Sequence, residues 1–172
     1  MDDDAPQLKS DRMLEIVKQT RQAEQIVDVE LETVKIVVFL CGGKRYAFYG
    51  SDIREILPAG VISWVPGLPS YLPGLINLRG DIESVLDLAH FLDTPHSSPA
   101  APMVAMAVKN GFRSGILVDE IDDVTDIPVS AINPPLATLS GAVRDLVLGE
   151  IEHQGQLINL LDLEKLAAKI AL

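Results

Sequence analysis

Cysteine, histidine and clustered positive charge are scarce in this chain, and each shortage closes off a class of function. The single cysteine, Cys41, cannot form an internal disulfide, and no spacing among it and the three histidines resembles a zinc site. Lys and Arg number 14 against 25 Asp and Glu, a formal charge of −11. The densest basic cluster is the pair Lys44-Arg45, which disfavours nucleic acid and anionic membrane surfaces as partners. Long apolar runs are missing too: residues 36–41 are strand-length, whereas a spanning helix needs about 20 residues. The opening Met1-Asp2-Asp3-Asp4 has the wrong charge for a signal peptide. These absences lead to the expectation of a cytoplasmic protein with no membrane insertion. What the 172 residues do contain is 48% hydrophobic content, enough for one compact core or two small ones.

Residues 1–33 form an acidic extension with nine acidic and four basic side chains, no glycine and no aromatic residue. Ser10 is placed to cap a helix from Asp11 to about Gln25, with Met13, Ile16, Val17 and Ala23 as a thin apolar stripe. Such a stripe is too narrow to fold alone, so the extension reads as disordered or helical only when docked.

From Val34 onward, short β-type runs are broken by Gly and Pro. The pattern predicts a hairpin over 35–49 around Gly42-Gly43, a short helix capped by Ser51 or Asp52 and stopped by Pro58, and a strand over 61–65. Strands at 75–78 and 82–86 are joined at Arg79-Gly80-Asp81. Residues 94–102 (TPHSSPAAP) read as a surface connection. Beyond it, strands are predicted at 103–108 and 113–118, an acidic turn at 119–123 and a Pro-bearing loop at 127–139. A last hairpin, 146–152 with 156–161, turns around Gln154-Gly155. Asp162 then caps a closing helix whose Leu163, Leu166, Ala167 and Ile170 make one apolar stripe.

The chain is internally duplicated. Residues 74–88 (GLINLRGDIESVLDL) and 149–163 (GEIEHQGQLINLLDL) agree at six of fifteen positions without a gap, at an offset of 75. Upstream, Gly43, Arg45 and Ile53 face Gly111, Arg113 and Ile121 at an offset of 68. Each half is of a size at which a lone β unit is marginal. Two such units sharing apolar surface, each closed to remove exposed edges, give twin small β-barrels packed side by side. Features kept in both halves read as scaffold: Gly80 and Gly155 for positive φ at a turn, Asp87 and Asp162 as helix caps. The first half alone has Asn77-Leu78-Arg79, where the second has Glu152-His153-Gln154, so Arg79 stands out.

No catalytic constellation emerges. His90, His96 and His153 are scattered and read as exposed histidines; Cys41 reads as a buried small hydrophobe. Asp87 and Asp162 could supply one carboxylate each to an aspartic dyad, but each is clamped between leucines at a helix start, where capping is the simpler reading. No Walker loop or GxGxxG is present. Trp64, Tyr71, Leu72 and Leu75, around the 66–73 loop, read either as partner anchors or as lining of the seam between the barrels.

The run Leu72-Pro73-Gly74-Leu75-Ile76-Asn77-Leu78-Arg79-Gly80, followed by Val85-Leu86-Asp87-Leu88, resembles the CheW family of bacterial chemotaxis adaptors. Residues 37–39, 46–48, 53–56, 115–119 and 160–166 are similar as well, so the resemblance spans 34–172. It implies a mostly β fold of two five-stranded, SH3- or OB-like barrels on a shared hydrophobic seam, with short helices and a C-terminal helix. The first barrel is expected at about 34–93 and the second at 103–161, with the closing helix at 162–171. It also implies a non-enzymatic adaptor, without cofactor or metal, associated with receptor arrays. Its implied partners are the cytoplasmic tip of methyl-accepting chemoreceptors and the regulatory domain of the histidine kinase CheA. The family's receptor-coupling glutamate and arginine fall on Glu55 and Arg79, with Ile53 in the same neighbourhood; alternatively, Glu55 and Arg79 pair with each other. One departure stands out: Ser84 occupies the place where the family usually has proline. The competing readings are a twin-barrel small-ligand module and a hydrolase using Asp87 and Asp162.

Overall fold

The computed structural model describes residues 12–19 and 31–170, in two units, Met1–Glu32 and Thr33–Leu172. In the first unit, residues 12–19 form helix α1, with Met13, Ile16 and Val17 exposed. The remainder of the expected 11–25 helix and its Ser10 cap lie outside the described residues.

The second unit is mostly β. In chain order it comprises β1 (Thr33–Cys41), β2 (Lys44–Tyr49), β3 (Ile53–Pro58), β4 (Gly74–Leu78), β5 (Asp81–Asp87) and α2 (Leu88–Leu92). There follow β6 (Met103–Lys109), β7 (Phe112–Val118), β8 (Glu120–Pro128), β9 (Ile132–Asn133), α3 (Gly141–Arg144), β10 (Val147–His153), β11 (Gln156–Leu161) and α4 (Leu163–Ile170). The hairpin turns carry the expected backbone: Gly42-Gly43, Arg79-Gly80, Asn110-Gly111 and Gln154-Gly155 all have positive φ at both residues.

Three local expectations are corrected. The short helix after Ser51 is a single 3-10 turn, Gly50–Asp52; Ile53, Ile56 and Leu57 lie in β3, because pairing with β6 satisfies their backbone and suits β-branched side chains. Residues 61–65 do not form a full strand but touch β4 through one bridge, Ser63 to Leu75. The acidic stretch 119–123 is mostly the start of the nine-residue β8, whose alternating burial exposes Glu120, Asp122, Val124 and Asp126.

The larger correction concerns the halves. One sheet has six strands, in the order β8-β1-β2-β11-β10-β9, and the other has five, β3-β6-β7-β5-β4. The sheets therefore do not follow the expected spans 34–93 and 103–161. Each half lends its first hairpin to the sheet of the other, and the two sheets correspond strand for strand apart from β9. The registers repeat as well: β5 meets β7 in parallel at Val85–Gly115, and β11 meets β2 in parallel at the equivalent Leu160–Ala47. Exchange of hairpins leaves neither half with a complete sheet of its own, which ties the two together through backbone hydrogen bonds as well as packing.

Burial follows this plan. Ile36, Val38, Ala47, Ile127, Ile151, Ile158 and Leu160 cluster on one face of the six-stranded sheet. Val85, Val104, Met106, Ile76 and Ala59 cluster on one face of the other. Between the sheets lies the largest core, in which Phe39, Tyr46 and Phe48 meet Ala107, Ile116 and Val118, closed by Leu88 and Leu92 of α2 and Leu163 and Leu166 of α4. Strands buried on both faces account for the near-continuous apolar runs of β1 and β6.

Candidate partner-docking site

The β4–β5 hairpin carries Arg79 at the tip of the five-stranded sheet. Arg79 has φ +56° and Gly80 φ +96°, the left-handed pair that a two-residue turn demands. Asn77 Oδ1 accepts a hydrogen bond from Gly80 N–H at 2.8 Å, so the Asn and Gly of the motif shape the turn. Leu78 points back against the core of this sheet. Thus Asn77, though exposed, is bonded into the turn, Leu78 is half-buried, and the arginine is the long side chain left to project, with 78% of it exposed.

Arg79 does not stand alone. Its Nη2 donates to Glu55 Oε2 at 2.9 Å and its Nη1 approaches Oε1 at 3.4 Å, a two-pronged pairing of planar guanidinium and carboxylate. Glu55 follows a bulge in β3, where the register with β6 shifts between Ile53 and Glu55; the extra residue re-aims the strand next to the site. Ile53 packs instead against the core between the sheets. The structure thus brings Glu55 and Arg79 together and separates Ile53 from them in role.

The second half has a chemically different counterpart. Asp123 follows the equivalent bulge in β8, and His153, from the β10–β11 hairpin, lies 3.0 Å from its Oδ2. This corrects the reading of His153 as an exposed histidine, since only 22% of its side chain is accessible. The sequence signal was available in the duplication, because His153 immediately precedes the turn equivalent to Arg79-Gly80. Next to the two turns, Ile82 and Leu157 occupy equivalent positions and are both exposed.

The remaining candidates are structural. Asp87 Oδ1 caps α2 through Ala89 N–H at 3.0 Å, and Oδ2 meets His96 Nδ1 at 2.9 Å. Asp162 Oδ1 caps α4 through Glu164 N–H at 2.9 Å. Both carboxylates are thus committed to helix starts. Cys41 is buried, and burial, with Asp119 and Asp87 nearby, pushes its thiol up to about 12; that favours the unreactive thiol form. Among the anchors, Trp64 is 72% exposed, whereas Tyr71 packs against Phe91 of α2, ring centroids 5.3 Å apart and tilted by 50°. Among the described residues no cluster of His, Cys, Asp and Glu is arranged to hold a metal ion, and no helix is long and apolar enough to cross a membrane.

Against known families, the CheW-like domain matches residues 35–171. The chain belongs to the CheW-like family. It is 31% identical over 133 residues to Protein FrzA of Myxococcus xanthus, covering 74% of this chain and 81% of that one. To the chemotaxis protein CheW of Bacillus subtilis it is 26% identical, covering 74% and 83%. Its fold is similar to that of the scaffolding protein TtCheW from Thermoanaerobacter tengcongensis, with a TM-score of 0.70, 25% identity, and coverage of 79% and 88%. In this CheW-like chain, the Asn-Leu-Arg-Gly turn and the bulged Glu55 form one exposed, charge-paired surface.

Proposed function

We propose that this CheW-like chain is a non-enzymatic scaffold that couples the cytoplasmic tip of methyl-accepting chemoreceptors to the regulatory domain of the histidine kinase CheA, in association with receptor arrays. The observation that carries the reading is the Glu55–Arg79 pair, held on a rigid turn yet presenting 78% of the arginine side chain to solvent, in a chain whose relatives are named chemotaxis and scaffolding proteins. With its arginine so exposed and screened by solvent, the pair contributes only about 1 kcal/mol to stability, so a recognition role suits it better than a structural one. Glu55, Arg79 and the exposed Ile82 then serve as the receptor-coupling surface, with a charged rim beside an apolar contact. Simultaneous engagement of receptor and kinase raises their effective concentration for each other.

Each sheet, leaving β9 aside, is proposed to curl into a five-stranded barrel. The support is that one face of β8, β1, β2, β11 and β10 contributes side chains to a single cluster.

The test is size-exclusion co-elution with a CheA regulatory domain and with a receptor-tip fragment, using the full chain and a version lacking residues 1–33. Co-elution of both forms with both partners is expected. If neither form bound a cognate kinase domain, the adaptor reading would fall and the fold would stand.

A further inference from the structure

Glu83, an acid of the first half, is buried, and its charge is answered from the second half. Its side chain is 9% exposed, and among the described residues only Asp52, Ser114 and Glu150 are also buried polar or charged residues. Glu83 Oε1 accepts from Arg113 Nε at 2.6 Å, and Arg113 Nη2 contacts the same oxygen.

The location of this pair matters. The parallel pairing of β5 with β7 runs from Val85–Gly115 to Asp87–Leu117 and stops short of the Arg79-Gly80 turn. Side chains continue it: Ser84 Oγ lies 2.8 Å from Ser114 Oγ, and Glu83 with Arg113 is the next step outward. Proline at position 84, the residue usual in the family, would remove that hydroxyl. The hydrogen bond to Glu83, ahead of the charges of Glu83, Asp81 and Glu55, holds the pKa of the Arg113 guanidinium up. Glu83 lies on β5, the strand that leaves the Arg79-Gly80 turn, so Arg113 holds the hairpin that presents Arg79 to Glu55. The equivalent of Arg113 in the first half, Arg45, bonds Asp122 at 2.7 Å, while the equivalent of Glu83 is the apolar Ile158. The arrangement belongs to one half only, as Arg79 does.

We propose that Arg113 is a positioning residue for the Glu55–Arg79 pair: by closing on Glu83 it fixes the β4–β5 hairpin to β7 and so holds Arg79 where it meets the Glu55 carboxylate. The inference rests on the reading of that pair as the receptor-coupling surface, and assigns part of its geometry to the second half.

The test compares Arg113→Met, the double variant Glu83→Met/Arg113→Met, Glu55→Gln and the wild type. The double variant removes the buried carboxylate together with its more exposed partner, so no buried charge is left unpaired. Two readouts are taken: the guanidinium 15N resonances of Arg79, which need no partner, and affinity for a receptor-tip fragment, with the kinase domain as control. Both Arg113 variants are expected to move the Arg79 resonances toward their positions in Glu55→Gln. They should also weaken receptor binding at least tenfold while kinase affinity stays within twofold of wild type. Wild-type Arg79 resonances and receptor affinity in the double variant would overturn the proposal, leaving Arg113 as a partner for a buried charge alone. If the Arg79 resonances move but wild-type protein does not bind the receptor fragment, the coupling reading fails while the positioning role stands.

Discussion

Glu55 and Asp123 occupy equivalent places in the two halves. Glu55 lies opposite Met106 across β3 and β6, Asp123 lies opposite Val38 across β8 and β1, and a bulge precedes each. Each carboxylate takes its partner from the hairpin of its own half, but the partners differ: the guanidinium of Arg79 engages through two nitrogens, the imidazole of His153 through one. A guanidinium stays charged at any physiological pH and fits a carboxylate with both prongs; an imidazole does neither reliably. Duplicated backbone with divergent side chains gives one permanent charged surface on one half.

That asymmetry makes Arg79 and Glu55 separable by charge exchange. Arg79→Glu is expected to change unfolding free energy by only about 1 kcal/mol, because the Arg79 side chain is 78% exposed and its charge is solvent-screened, while abolishing co-elution with a receptor-tip fragment. Restoring opposite charges with Glu55→Arg/Arg79→Glu is expected not to recover binding, since the turn would then present an acid where the receptor meets a base. Thermal unfolding and size-exclusion co-elution read the two effects. Recovery by the double variant would mean that mutual pairing, rather than contact with the receptor, is what the residues supply.

Gly74 and Gly149 are shared by the halves for a steric reason. A Cβ on Gly74 would lie 2.3 Å from Ser63 O, and one on Gly149 would lie 2.7 Å from Asn133 O. In both halves a passing segment crosses directly over the glycine, and the obstacle is backbone, which cannot rotate away. Gly74→Ala and Gly149→Ala are each expected to destabilise by about 1–3 kcal/mol in urea unfolding. Gly141→Ala, where a Cβ meets nothing within 4 Å, should be neutral within about 0.5 kcal/mol.

Stability should fall in alkali. Burial, chiefly, pushes both the Cys41 thiol and the Tyr46 phenol up to about 12, from ordinary values of 9.0 and 10.0. Near pH 7 both groups are protonated in folded and unfolded chains, so they impose no pH dependence there. Between pH 9 and 12 the unfolded chain sheds protons that the folded chain keeps, and stability declines by up to about 1.4 kcal/mol per pH unit per group. Urea unfolding at pH 7, 9 and 10.5 should show this decline. Cys41→Ala, although less stable at pH 7, should have a slope shallower by nearly one proton; an unchanged slope would place the titration elsewhere.

The sequence was most legible where chemistry is local. Gly42-Gly43 and Asn110-Gly111 announce their turns, Asp87 and Asp162 announce their helices, and the repeat around Gly80 and Gly155 announces two related units. What escaped was non-local. Ile53, Ile56 and Leu57 are compatible with a helix or a strand, and only β6, some fifty residues later, decides between them. Hairpin exchange leaves no local mark, because β1 and β2 read alike in either sheet. The pairing of Glu55 with Arg79 was one of two readings that the residues left open, since sequence spacing does not reveal that a bulge in β3 aims at a turn 24 positions away.

The exchanged hairpins lead to a test by fragmentation within the 94–102 connection. In the intact chain, β1 and β2 complete the sheet that contains β8, β10 and β11, while β6 and β7 complete the sheet that contains β3, β4 and β5. Fragment 34–93 separates β3 and the β4–β5 hairpin from the strands that lie between them, and fragment 103–172 does the same to β8 and the β10–β11 hairpin. Both fragments would also expose the aromatic face of Phe39 and Phe48 or its partner surface of Ala107, Ile116 and Val118. Neither is expected to unfold cooperatively alone, whereas an equimolar mixture should recover a cooperative transition and the native circular-dichroism spectrum. Two sheets each confined to one half would give the opposite result, with each fragment folding independently and the mixture adding nothing.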